Sequence, residues 1–202
     1  MKETPIFEEA FLRLVRQQGI LLKIIVGGLL SFIPIINLFA FGYLYRFSGS
    51  IRRSGSLGLP DWSDWKGMFV DGLWFAVPWL AFWLLPVVVI SFLSGFIGAI
   101  GLGAVAYLLF AGVLLVSPWL FSAALYRLQM RQDFRDLLDL PLIFKLCYAF
   151  ALPMLVPALA LFGIGALLLP LYGFAFFVGA LVLIAYSTLC YRVAERPEAV
   201  SI

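Results

Sequence analysis

Leu59–Phe75 reads LPDWSDWKGMFVDGLWF, and the way this stretch is seated decides the fold. It sets Asp61, Asp64, Lys66 and Asp71 among aromatic residues, and the chain then carries no charge from Gly72 to Tyr126. Pro60 followed by Asp61 reads as a helix start. Asp61 is a good cap, and Asp64 then lies in the first turn, where an acid suits the helix dipole. Trp62, Trp65 and Phe69 recur at i, i+3 and i+7 and so share a face. That face suits the boundary of a bilayer, with Asp64, Lys66 and Asp71 left in water. The stretch is expected to be a short helix lying on a membrane, ahead of a run that enters it.

Composition supports a membrane setting. Of the 202 residues 64% are apolar and 12% charged, and the mean hydropathy is +1.06. Soluble domains are about 45–50% apolar and about 25% charged, so lipid must be the solvent for much of this chain. The net charge of +3 is too small and scattered to suggest nucleic-acid binding. Every charge falls within residues 2–23, 46–71, 127–145 or 192–198. Between them lie the uncharged stretches Ile24–Tyr45, Gly72–Tyr126 and Leu146–Tyr191. No cleavable signal peptide is expected, because no small-residue cleavage site follows the first apolar run. Cys147 and Cys190 flank the third stretch, and their bland reading is two small apolar residues in a reducing compartment.

A spanning helix needs roughly 20 apolar residues. Residues 72–126 hold two, expected near 73–95 and 101–126, with a turn at Gly95, Gly98, Gly101 and Gly103. Residues 146–191 also form a hairpin, with helices expected near 144–168 and 172–191 and a turn around Pro170 and Gly173. Residues 24–45 either span once or dip in and return, breaking near Pro34 and Asn37. Lys and Arg in short loops stay cytoplasmic. Re-entry puts all the basic residues, from Lys2 to Arg196, on one side, whereas a span places those of 1–23 opposite the rest. Re-entry is favoured on this ground, although broken backbone at membrane depth needs shielding.

A repeat runs through this layout. Each apolar stretch ends in Tyr-Arg, at Tyr45-Arg46, Tyr126-Arg127 and Tyr191-Arg192, and each follows an acid-aromatic segment. The unit is an interfacial helix, a hydrophobic hairpin and an anchor at headgroup level. Convergence is the competing reading, since any cytoplasmic helix end favours Tyr and Arg. Residues 1–202 are then one membrane domain: an N-terminal amphipathic helix in 1–23, the segment 24–45, loops with interfacial helices in 46–71 and 127–145, two hairpins, and a tail, 192–202. In the first of these helices Phe7, Ala10, Phe11, Leu14 and Val15 share a face, with Glu9 and Arg13 paired on the other.

The motifs IVGGLL, IPIIN, GYLYR, LPDWSDW and FVDGL, in this order and spacing, resemble those of domain-of-unknown-function family 4013, polytopic membrane proteins of bacteria and archaea. The resemblance covers roughly residues 20–165, with the later part carried by ALYRLQMRQDFRDLLDL. It implies a multi-helix inner-membrane protein without assigned activity, and it brings no catalytic or ligand-binding residues.

Chemistry is sparse. The chain has no histidine, which removes the commonest general base and metal ligand. No ionisable residue is expected inside the membrane, which disfavours an ion-coupled carrier. No catalytic, cofactor or metal site is expected. GLGAVA at Gly101–Ala106 mimics a dinucleotide fingerprint, but no strand precedes it. Ala99/Gly103 and Ala175/Gly179 are small pairs of the kind that pack helices. Ser31, Pro34 and Asn37 mark a helix break or, in an oligomer, a pore lining. Arg46, Arg52, Arg53, Arg127, Arg131 and Arg135 are candidates for anionic lipid, at about 1 kcal/mol each near the surface. Trp62, Trp65, Tyr45, Tyr126 and Tyr191 are candidate interfacial anchors.

The fold expected is all-α and membrane-embedded: four transmembrane helices in two hairpins plus a re-entrant hairpin or fifth span. The function expected is a non-enzymatic accessory or scaffold subunit in a prokaryotic inner membrane, partnered by lipid and by other subunits or copies of itself. The alternative is an oligomeric channel or permease for a small solute or ion. A lipid-modifying enzyme, using Asp61, Asp64 and Asp133, is a distant third.

Overall fold

The computed structural model describes residues 6–167 and 169–195, and among them every regular element is helical. Lys2, Arg196 and the tail beyond Glu195 lie outside the described residues, as does Leu168, the expected end of one span. The helices form two compact units, one from residues up to Ala76 together with those from Phe150 on, the other from Val77–Ala149.

The first unit begins with α1 (Phe7–Val15), where Glu8 and Glu9 occupy the first turn and suit the helix dipole. Ala10 and Leu14 are buried, while Phe11 and Val15 stay exposed. Gly19, at φ +74°, turns the chain into α2 (Ile20–Leu30). This helix has 11 residues, or about 16 Å at 1.5 Å each, half of a hydrocarbon core of about 30 Å. The chain breaks at residues 31–36, beside Pro34, and resumes as α3 (Asn37–Ser54), which packs back on α2. Gly55, in the left-handed region at φ +74°, ends α3 by donating its N–H to the Ile51 carbonyl.

The segment containing the two tryptophans departs from expectation. Its helix, α4 (Trp65–Trp79), starts at Trp65 and runs without interruption into the apolar stretch. Asp64 is the cap, accepting from the Gly67 N–H at 3.0 Å, while Asp61 is held by Lys23 instead. A π-helical turn, Leu80–Leu84, joins α4 to α5 (Leu85–Ala99). Pro78 and Pro86 flank this turn, and each lacks the N–H that an α-type bond needs.

In the second unit α5 and α6 (Gly103–Arg131) form the expected hairpin, turning at Gly101 with φ +87°. A 3-10 turn, Phe134–Leu138, follows, capped by Asp133, whose Oδ1 accepts from the Arg135 N–H at 2.9 Å. Then comes α7 (Leu140–Ala149). The single span expected at 144–168 is not formed as one helix: the chain breaks at Phe150 and continues as α8 (Ala151–Leu167). Pro153 accounts for the break. It has no N–H for the Ala149 carbonyl, and it fits only the first turn of a new helix.

A 3-10 turn, Leu169–Leu171, leads to α9 (Tyr172–Glu195), the centre of the first unit, which packs on α1, α2, α3 and α8. Gly173 belongs to this helix and not to the turn; a Cβ there would meet the Gly28 carbonyl and the Phe32 ring. Gly27 and Gly28 likewise leave room for the rings of Phe177 and Phe174. Tyr172 donates its hydroxyl to the Phe32 carbonyl at 2.8 Å.

The protein is all-α, and among the described residues three helical runs are long and apolar enough to cross a membrane: Trp65–Ala99, Gly103–Arg131 and Tyr172–Val193. The pair Leu140–Ala149 and Ala151–Gly163 makes a fourth if counted as one broken span.

Candidate functional site

The motif residues of the first half meet where α3 crosses the start of α4. Gly42 sets the approach: a Cβ there would overlap the Met68 carbonyl. Gly72 repeats the device from the other side, against the Leu38 carbonyl. With the two backbones so close, Arg46 on α3 reaches both acids of the next segment. Its Nε donates to Asp71 Oδ2 at 2.6 Å and its Nη2 to Asp64 Oδ2 at 2.8 Å. Gly67 leaves room for this guanidinium and for the Asp64 carboxylate. Arg46, with the Gly67 N–H, holds the Asp64 carboxyl below its ordinary value. Partial burial pulls the Arg46 pKa down, and the two carboxylates more than offset it.

The loop between α3 and α4 is strapped to the link between α1 and α2. Gln17 acts like a piece of strand: its amide donates to the Leu57 carbonyl, and its Oε1 accepts from the Leu59 N–H at 3.1 Å. Lys23 donates to the Leu59 carbonyl at 2.9 Å and to Asp61 Oδ1 at 3.0 Å. Trp62 then stacks on the fully buried Tyr43, with centroids 4.3 Å apart, and Trp65 stacks on Trp62. Asp61, Asp64 and Asp71 each hold a cation, so the arrangement is a clasp.

The family model of a protein of unknown function (DUF4013) matches residues 26–177. The chain belongs to this family. The matched range runs from α2 into the first turns of α9, so this DUF4013 clasp lies inside it, apart from Gln17 and Lys23. No curated protein and no solved structure matches the chain.

The other candidate residues of this DUF4013 chain are spread more widely. Ser31 is buried and donates to the Gly27 carbonyl at 2.7 Å, while Pro34 is exposed. Asn37 opens α3, and its buried Oδ1 has no hydrogen-bond partner. Arg53 is exposed and lies along Gly49; Arg52 is half-buried. In the second unit Arg127 is half-buried, Arg135 is exposed, and Arg131 stands 3.7 Å from Asp136. Tyr126 and Tyr191 are buried, and Tyr45 is half-buried. Both cysteines are free thiols, each buried. GLGAVA is the turn and first residues of a helical hairpin. Of the small pairs, Gly179 packs on Leu161, whereas nothing lies within 4 Å of a Cβ at Gly103. Among the described residues no group of acids and cysteines could hold a metal ion.

Sequence reasoning missed Gln17, Lys23, Gly42 and Gly72. One of the two glycines had a signal: Gly42 lies one helical turn before Arg46 and so marks the face that carries its charge. Gly72 had none, because as the direct neighbour of Asp71 it lies off that residue's face. Gln17 had none, since a polar residue between helices is ordinary.

Proposed function

We propose that this protein is a non-enzymatic, multi-pass subunit that supports other proteins in a prokaryotic cytoplasmic membrane. One observation carries the reading. Of the most apolar window of Trp65–Ala99 only 6% is buried, against 78% for Tyr172–Val193. The hairpin built on that first run offers Phe92, Phe96, Tyr107 and Leu108, each more than two-thirds exposed, as helix surface for lipid or partner. Lys23, Arg46, Asp61, Asp64 and Asp71, in contrast, are tied up in the clasp. In this reading α2 and α3 dip in and return, so that basic residues collect on the cytoplasmic side. Arg52, Arg53 and Arg135 then meet anionic headgroups. The test is extraction in mild detergent from native membranes. A complex of fixed stoichiometry with unrelated membrane proteins is expected; a lone chain with catalytic turnover overturns the reading.

The second reading, an oligomeric channel, is favoured by Asn37, whose unpartnered Oδ1 opens α3 after the break. A ring of copies, with solute flux in liposomes that Asn37→Leu abolishes, supports it over the first.

A further inference from the structure

The three Tyr-Arg endings meet different fates. Arg46 takes two acids from the segment that follows it. Arg131, one turn after Arg127, faces Asp136 of the next segment. Arg192 lies in the last turn of α9 and has no acid within ion-pair distance among the described residues; its guanidinium lies against Gly55. Gly55 is confined twice over, by its positive φ and by this guanidinium, which a Cβ would overlap. On the wall that Gly55 shares is a cavity of about 450 Å³. Its rim carries Glu9 and Arg13 from α1, and Ala10, Leu57 and Leu189 supply apolar lining. Glu9 and Arg13 are only loosely paired, at 3.7 Å, and their side chains are 63% and 76% exposed.

We propose that this cavity binds the headgroup of an amine-bearing phospholipid. Arg13 takes the phosphate, with Arg192 adding positive charge beside it, and Glu9 takes the ammonium. The glycerol end rests on Ala10, Leu57 and Leu189. Two opposite charges at one rim match a zwitterion with both its charges, whereas a glycerol headgroup offers Glu9 only neutral hydroxyl donors, which bond a carboxylate less strongly than an ammonium does. A lipid, and not a soluble phosphoester, is the ligand because Ile6 on the cavity wall is itself 60% exposed and carries the apolar lining out to the surface.

The inference rests on the membrane reading above, and the two fail differently. A protein that leaves alkaline-washed membranes refutes both, whereas an embedded protein that keeps no lipid refutes only this one. The test is native mass spectrometry of the detergent-purified chain after exposure to phosphatidylethanolamine, phosphatidylglycerol or soluble glycerophosphoethanolamine. One phosphatidylethanolamine is expected to stay bound, and the soluble compound is expected not to displace it. Arg13→Gln weakens retention about fivefold, the worth of one surface phosphate contact. Glu9→Gln removes the preference for ethanolamine over glycerol. Ser56→Trp, built from an exposed loop position on the cavity wall, blocks binding without disturbing the core. Lys66→Gln, at an exposed position outside the cavity, changes nothing. Equal losses from Arg13→Gln and Lys66→Gln, equal retention of the two lipids by the unmodified chain, or displacement by the soluble compound overturns the proposal.

Discussion

The α3–α4 crossing and the α5–α6 hairpin are both glycine-bearing helix pairs, yet their glycines face different surroundings. At the crossing, Gly42 and Gly72 each face a carbonyl of the opposing helix, so the absent side chain is what lets the helices meet. On the hairpin, Gly95, Gly98, Gly103 and Gly112 have nothing within 4 Å of where a Cβ would sit. The lesson is that a helix glycine takes its meaning from its neighbour. At the crossing the neighbour is backbone from the same chain. On the hairpin it is whatever surrounds the protein.

The largest expected effect breaks the crossing. Gly42→Ala or Gly72→Ala drives a methyl into a backbone carbonyl, which cannot rotate away as a side chain does. The loss should reach or pass the upper end of the roughly 1–3 kcal/mol usual for overpacking, despite a helix-propensity gain of about 1 kcal/mol. Thermal unfolding in detergent measures it. A variant as stable as the parent chain would mean that the helices do not meet at these glycines.

Arg46 sharpens the contrast from the polar side. It is 27% exposed and bonded to two carboxylates, one of them only 28% exposed. Arg46→Met leaves Asp64 and Asp71 without their cation and should cost about 1–3 kcal/mol. Arg46→Lys should recover little of this, since an ammonium cannot place two donors along the same fork. The counterpart in the second unit, Arg131, is 68% exposed and 3.7 Å from its acid. Arg131→Met should stay within about 0.5 kcal/mol. Equal losses at the two positions would remove the distinction between clasp and surface pair.

Hydropathy made the layout legible where solvent alone decides it. The turn at Gly101, the start of α9 near Tyr172 and the break between Ser31 and Asn37 all follow from runs of apolar residues meeting glycine or proline. Partner choice was not legible. Asp61 looked like a cap because Pro60 precedes it, but Lys23, far off in sequence, holds its carboxylate, and the cap moves to Asp64. The break at Phe150 was hidden inside an unbroken apolar run, because Pro153 affects hydrogen bonding and not hydropathy. Gly173 looked like part of a turn and instead packs against α2, for the same reason that Gly42 and Gly72 were passed over: composition reports the solvent a residue prefers, never the atom facing it.

A smaller effect tests the hairpin. Gly95→Ala and Gly98→Ala introduce methyls into open space in helical backbone, so each should gain about 0.5–1 kcal/mol in detergent. The informative arm is the native membrane. If a partner helix covers this face, Gly98→Leu should dissociate the complex while leaving the isolated chain as stable as before. If lipid alone covers it, neither property should change, and the subunit reading loses its main support.

The smallest effect is confined to acid. The Asp64 carboxyl is held below the ordinary 3.8 by the Arg46 guanidinium and then by the Gly67 N–H. A group whose folded pKa is depressed contributes stability that is complete above the unfolded value and fades as pH falls through the folded one. The Asp64 contribution should therefore be constant from neutral pH down to about 4 and vanish below that. Asp64→Asn keeps the shape of the cap but cannot gain or lose this proton. Its melting temperature should lie below that of the parent at pH 7, and the two curves should converge on acidification. Because Asp64 is largely exposed, the gap at neutral pH should be narrower than the one that Arg46→Met opens. Parallel curves down to pH 3 would mean that Asp64 titrates alike in both states. Arg46 would then be held by Asp71 alone, and the clasp would close on one side only.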